Sequence, residues 1–339
     1  MDPVILNETE SEQRPTLDLP VLDLAAFEAG TAEQRREIAA GFDLGMQTIG
    51  FGVVAGHGIA PSLIERMFST TSHFFELPNS DKAQVRSRVA DGQFCGWVPF
   101  GADAASRVYG AHDDTPEDLR ERFRAVVSDC AEVREKVGPN QWPTQPGNLA
   151  QVWTEYYRAV ENMSLRVMQV SAVALGLEKH FFDPYFERHF SVLMATNSPP
   201  FTGPRKPGQA RCGTHTDTGT MTFVYQRDTR GGLEVQVGGK WLLPAPPAGS
   251  FIVNCGDLLA RWTNNRWKST VHRVGGPGAA IDQRRVSVVF FHQPALDIPL
   301  ESLPTCVDAE HPAQFDPITL REHFSNQQRR LKTRDDVNN

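Results

Sequence analysis

The sequence predicts a mainly β protein with flanking α-helices, built as an antiparallel double sheet with helices packed against it. Two observations carry this. Helical patterning dominates residues 18–187, whereas residues 188–298 break into short β-rich segments divided by Gly, Pro and Asn. Closely spaced short strands of that kind indicate a sandwich or barrel. The 339 residues, 40% hydrophobic and 22% charged, suffice for a sizeable core.

Taken in order, residues 1–17 read as a polar tail. "LPVLDL" (19–24) is a short strand-like run. "TAEQRREIAAGFDLGMQTI" (31–49) opens on a Thr cap and continues as a helix, with Ile38, Phe42, Leu44, Met46 and Ile49 as its apolar positions. "GFGVVAGHGI" (50–59) is a buried strand ended by glycines, and "PSLIERMFSTTSHFF" (61–75) is a helix with Pro at its start. Residues 90–116 are rich in Gly, Ala and Asp and suggest a long loop. Helices are expected over 147–175 and 177–187. The strand segments follow: "FSVLMATNS", "GTHTDTGTMTFVYQ", "GGLEVQV", "KWLLPA", "SFIVNCG", "TVHRV" and "RRVSVVFFHQP". A last helix over 316–331 and a charged tail complete residues 299–339.

Composition excludes several function classes. A net charge of −7 gives no basic footprint for nucleic acid. No apolar run approaches the roughly 18 residues needed to span a bilayer. Five scattered cysteines without a CxxC pair argue against a disulfide framework and against structural zinc. The acidic N-terminus is unlike a secretory signal, so a reducing, cytoplasmic setting is expected. No oligomerisation surface is evident, which leaves a monomer or weak homo-oligomer.

The chemistry concentrates in three short stretches. Side chains at i and i+2 of a strand share a face, so His215 and Asp217 of "CGTHTDTGTMTF" project together. A second β-like segment, "WKSTVHRV", carries His272. Two imidazoles and a carboxylate on a rigid sheet suit non-haem Fe(II), leaving coordination positions open. An isolated HxD arises often by chance. Here, however, "RRVSVV" adds Arg285 and Ser287, again i and i+2, a guanidinium fork and a hydroxyl suited to one carboxylate. Arg284 should face the other way, as should Thr216. Among the remaining histidines, His57 lies in a glycine turn and His73 and His323 on expected helices, with no site role assigned. Cys212 reads as packing at the start of its strand.

With these motifs in place, the chain resembles the isopenicillin N synthase-like family of Fe(II)/2-oxoglutarate-dependent oxygenases from about residue 18 to 331. "IGFGVVAGHGI" and "FFELPNSDK" look like that family's N-terminal region. Residues 232–274 resemble its central signature, and "RVSVVFFHQP" its Arg-x-Ser strand. The resemblance implies a double-stranded β-helix (jelly roll) core over 188–298 with a helical N-terminal region packed on it. It implies that His215, Asp217 and His272 ligate iron and that Arg285 and Ser287 hold the distal carboxylate of 2-oxoglutarate. The family's Asn-x-Tyr ahead of HxD is replaced by Thr196 and Ser198 in "ATNSPPF", whose hydroxyls could still bond a carboxylate. The implied cofactors are Fe(II), 2-oxoglutarate and O2, with ascorbate helpful in vitro. The implied oxidoreductase activity is hydroxylation, desaturation, cyclisation or demethylation of a small organic molecule, in a natural-product or other small-molecule pathway. Substrate is expected in the barrel mouth over Phe223, Tyr225, Phe290 and His292, closed by the 90–116 loop. Two alternatives remain open: a 2-oxoglutarate-independent oxidase of the isopenicillin N synthase type, and a non-catalytic jelly-roll binding protein.

Overall fold

The computed structural model describes residues 15–106, 115–227 and 232–326. Thirteen strands form two sheets in these residues: β1 (Thr16–Leu17), β2 (Val21–Asp23), β3 (Phe51–Ala55), β4 (Gly96–Val98), β5 (Glu121–Ala125), β6 (Val192–Ser198), β7 (Cys212–His215), β8 (Met221–Gln226), β9 (Leu233–Val237), β10 (Lys240–Pro244), β11 (Phe251–Cys255), β12 (His272–Val274) and β13 (Arg285–His292). The larger sheet runs β2-β3-β11-β8-β13-β6-β5-β4, and the smaller runs β1-β10-β9-β12-β7. Strands β6 to β13 thus alternate between two facing sheets, as in a jelly roll, except for the β9–β10 hairpin within the smaller one, and every pair among them is antiparallel. Segments before residue 126 extend both edges of the larger sheet and one edge of the smaller, which covers strand edges that would otherwise stay open.

Helices pack on the outer face of the larger sheet. The helix Ala32–Thr48 starts where expected, at a capping box in which Thr31 accepts from Gln34 N and the Gln34 side chain returns to Thr31 N. Its buried face is Ala39, Phe42, Gly45 and Met46, at spacings of three and four. Leu44 differs from expectation and is exposed, because it lies about 200° around the helix from Phe42. Gly45 permits the close approach of this helix to the chain before β2: a Cβ there would lie 2.2 Å from Pro20 Cγ. Pro61–Glu76 carries a buried stripe from Leu63 to Phe75, apolar but for Thr70 and Thr71, and Leu149–Ala174 buries Trp153, Tyr156, Tyr157 and Val160. An aromatic cluster of Phe74, Phe123, Trp142 and Trp153 joins both helices to β5. The main apolar core therefore lies between helices and large sheet. A smaller one, with Phe51, Val235 and Ile252, lies between the sheets.

Several expected elements change. Thr16–Leu17 pairs with β10, so the N-terminal tail ends before residue 16; residues 1–14 lie outside the described part. The 90–116 loop contains β4, anchored by the buried Trp97, while its residues 107–114 are outside the described part. The 177–187 helix shrinks to one turn, Asp183–Phe186. The last helix starts at Leu320, because Thr319 and Glu322 cap it there and Ile318 is bridged to Leu300. Its continuation beyond residue 326 lies outside the described part.

A buried charged network ties the β4/β5 edge to the jelly roll. Glu121 accepts from Lys82 Nζ at 2.8 Å, Trp97 Nε1 at 2.7 Å and Asn197 Nδ2 at 2.8 Å. Removing one member of such a pair strands the other charge in the interior, at a cost of about 3–5 kcal/mol. Glu121→Leu should therefore lower the unfolding free energy by about that amount in urea titration. Adding Lys82→Met should restore part of it; a double variant no more stable than Glu121→Leu would contradict this.

Candidate metal centre

Strands β7 and β12 are antiparallel neighbours, and their register sets His215 directly opposite His272. The two imidazoles lie with ring centroids 4.3 Å apart. Strand β7 ends at His215, and Asp217, two residues on, returns to the same side. Asp217 Oδ1 is 3.7 Å from His215 Nε2 and 3.8 Å from His272 Nε2. Donors about 2.1 Å from one first-row divalent ion can be no more than about 4.2 Å apart, so both separations admit a shared ion. Among the described residues this is the one group of three His, Cys, Asp or Glu side chains close enough to hold a metal.

Outer contacts orient each donor. His215 Nδ1 meets the carbonyl of Gly213 at 2.7 Å, and His272 Nδ1 that of Thr270 at 3.0 Å. A carbonyl can only accept, so Nδ1 is the donor in both rings and Nε2 is the nitrogen turned to a ligand role. Burial, and then the neighbouring His215, push the His272 pKa down to about 4, so its imidazole is neutral at ordinary pH. Asp217 is held by Asn254 of β11, whose Nδ2 donates to Oδ2 at 2.8 Å. Burial alone would raise the Asp217 pKa. The two imidazoles, with hydrogen bonds from Asn254 and Thr222, outweigh it and keep the carboxyl below its usual range. Two imidazoles and one carboxylate, borne on one wall of a cavity, fit Fe(II) in both donor type and openness.

The cavity lies between the sheets and receives the inward side chains of β13 and β6. Arg285 pairs in register with Ser198, and Ser287 with Thr196, so one guanidinium and three hydroxyls share the inward face. Arg285 donates to Ser287 Oγ at 3.1 Å and to Gln226 Oε1. Arg284 points outward, to Asn197, Glu76 and the Ser72 carbonyl. Thr216 also turns away and donates to Asp257. His57 is occupied by the Gly249 carbonyl and the Ile59 amide, and His323 meets the Thr218 carbonyl.

The expected substrate residues are not on this cavity. Phe223, Tyr225, Phe290 and His292 face the helical layer: Phe290 packs on Tyr157, His292 stacks on Phe186 at 4.2 Å, and Tyr225 meets Phe68. Strand parity is the reason. With Arg285 and Ser287 inward, Val289 and Phe291 are inward and Phe290 and His292 outward; likewise Thr222 and Val224 line the cavity in place of Phe223 and Tyr225. Missed altogether were Asn254, Arg120 and Arg211. Asn254 had a visible signal, a polar residue inside the apolar run "FIVNC", since a buried amide needs partners.

Comparison with known proteins agrees with this centre. Residues 19–145 match the family described as non-haem dioxygenase in morphine synthesis N-terminal, and residues 190–294 match the 2OG-Fe(II) oxygenase superfamily. A homoarginine-6-hydroxylase of Arabidopsis thaliana is 29% identical, covering 88% of this chain and 90% of its own. Validamycin A dioxygenase of Streptomyces hygroscopicus subsp. limoneus is 32% identical over 81% of this chain and 77% of its own. A full-length Neurospora crassa protein, crystallised with α-ketoglutarate, superposes with a TM-score of 0.80 at 27% identity, covering 93% of this chain and 96% of that one. The complex of that protein with α-ketoglutarate and thymine superposes at 0.79, with 26% identity and coverage of 95% and 98%. The chain therefore belongs to the 2OG-Fe(II) oxygenase superfamily and is a 2-oxoglutarate-dependent non-haem iron dioxygenase.

Proposed function

We propose that His215, Asp217 and His272 hold the ferrous ion and that Arg285 and Ser287 hold the distal carboxylate of 2-oxoglutarate, so that the enzyme oxidises a C–H bond of a small organic molecule. The observation that carries this reading is the shared inward face of both motifs in one cavity. When bound, Fe(II) would let dioxygen, the four-electron oxidant, oxidise two partners by two electrons each: 2-oxoglutarate, which becomes succinate and CO2, and the substrate, which is hydroxylated, desaturated, cyclised or demethylated.

The chain's own residues bind and orient. Arg285 presents a planar fork, and Ser287 a hydroxyl, to one carboxylate away from bulk water. Ser198 and Thr196 stand beside them in register and take the place of the tyrosine expected from relatives. Asn254 and Thr222 keep Asp217 ionised with Oδ1 toward the imidazoles. Apolar Met194, Val224, Val289 and Phe291 keep the rest of the cavity dry. One relative is named for its action on validamycin A, and the Neurospora crassa protein is crystallised with thymine, which supports a substrate of small-molecule size here.

Succinate release at varied 2-oxoglutarate tests the co-substrate assignment. Arg285→Leu should raise the 2-oxoglutarate KM roughly 30- to 100-fold, since hydrogen bonds to a charged group are each worth about 1.5–3 kcal/mol. Ser287→Ala should raise it less, and an unchanged KM in both would exclude this clamp. Asn254→Ala removes the donor that orients Asp217, and Mn(II) titration followed by electron paramagnetic resonance should show about 10- to 100-fold weaker metal binding. Wild-type affinity in that variant would remove Asn254 from the centre.

A further inference from the structure

The segment leading into β5 carries a buried carboxylate that neither the metal centre nor the co-substrate clamp uses directly. Asp118 is 1% exposed, and both of its oxygens are engaged. Oδ1 accepts from Gly213 N at 2.8 Å; Oδ2 accepts from Ala105 N at 3.0 Å and pairs with Arg120 at 2.8 Å. Backbone bonds hold the segment on both sides: Asp118 N donates to the Asp103 carbonyl and Leu119 N to the Ala210 carbonyl, each at 2.9 Å. A carboxylate withdrawn from water needs donors in place of its hydration, and here three supply it.

The two oxygens serve different parts of the cavity. Gly213 is the residue whose carbonyl accepts from His215 Nδ1, so the backbone that orients this ring is itself held by Asp118. The approach is close enough to require glycine: a Cβ at residue 213 would lie 2.1 Å from Oγ of the buried Ser106. Oδ2 fixes Arg120, which precedes the Glu121–Asn197 register pair and so stands beside Ser198, the partner of Arg285. His272 is supported from elsewhere, since its acceptor carbonyl belongs to Thr270, whose hydroxyl donates to the Ile49 carbonyl. Resting on the reading that His215 ligates the ferrous ion and Arg285 takes 2-oxoglutarate, we propose that Asp118 is a positioning residue for both. It sets the direction of the His215 ring through Gly213, and the co-substrate end of the cavity through Arg120.

Two probes of the full chain, used without oxygen, test this. In the Co(II)-loaded protein, the exchangeable Nδ1 proton of each coordinated imidazole gives a strongly shifted proton resonance, and the wild type should show two. Asp118→Ala should move one of them and speed its exchange with solvent, while the other, that of His272, stays in place. Mn(II) affinity followed by electron paramagnetic resonance should fall about tenfold. The 2-oxoglutarate affinity of the Mn(II)-saturated variant, followed by tryptophan fluorescence, should fall at least fivefold. Asp118→Asn keeps an acceptor but not the charge that pairs with Arg120, and should fall between; if Asp118→Ala does not fold, Asp118→Asn is read in its place. Glu121→Leu, which loosens β5 without touching Gly213, should leave both resonances and the Mn(II) affinity within threefold of wild type. Asp118 variants in which both resonances move together, or neither moves, overturn the proposal. So does a Glu121→Leu protein that reproduces the Asp118 effects, which would reduce them to general loosening. Absence of both resonances in the wild-type protein would overturn the His215–Asp217–His272 assignment instead, so the two failures are distinguishable.

Discussion

The pairing of β7 with β12 is the constraint on which the metal centre depends. Backbone hydrogen bonds set His215 opposite His272, and no side-chain adjustment could bring the two rings together if that register slipped by one residue. The smaller sheet holds these strands next to β9 and β10, while the larger sheet supplies what lies beneath: Asn254 and Thr222, register partners on β11 and β8, both reach Asp217. The three donors thus come from one sheet and its following turn, and their orientation comes in part from the other.

The same division explains how a cluster of ionisable groups can be buried here. Each imidazole gives its Nδ1 proton to a carbonyl two residues earlier in its own chain, so the ring's orientation depends on local backbone. Asp217 carries a charge within a nearly closed site and keeps it through two hydrogen-bonded neighbours and two adjacent imidazoles. Packing of helices on the outer face of the larger sheet holds β6, β8, β11 and β13 together, and the inward face of β6 and β13 then presents Arg285, Ser287, Ser198 and Thr196 as one polar patch.

Much of this was legible in the sequence because strand alternation is a local rule. His215 with Asp217, and Arg285 with Ser287, are placed by spacing two, and capping residues such as Thr31 place helix starts. The same rule, carried four residues beyond Ser287, would have put Phe291 in the cavity and Phe290 and His292 behind it; the substrate residues were misassigned by overlooking parity. Other features had no local signal. β5 reads "ERFRA", charged at three of five positions, and becomes buried only because β4, Lys82 and the 103–106 segment cover it. Arg120 and Arg211 are 91 positions apart in sequence, so their place on one cavity follows only from the backbone bonds between 119 and 210.

The central claim is that one ferrous ion and one 2-oxoglutarate occupy the single cavity joining these two motifs. Crystals grown anaerobically with both, measured across the iron absorption edge, test it most directly. The account predicts one anomalous peak among His215 Nε2, His272 Nε2 and Asp217 Oδ1, with a carboxylate of 2-oxoglutarate against Arg285 and Ser287. An iron peak elsewhere, or 2-oxoglutarate bound away from Arg285, would contradict it.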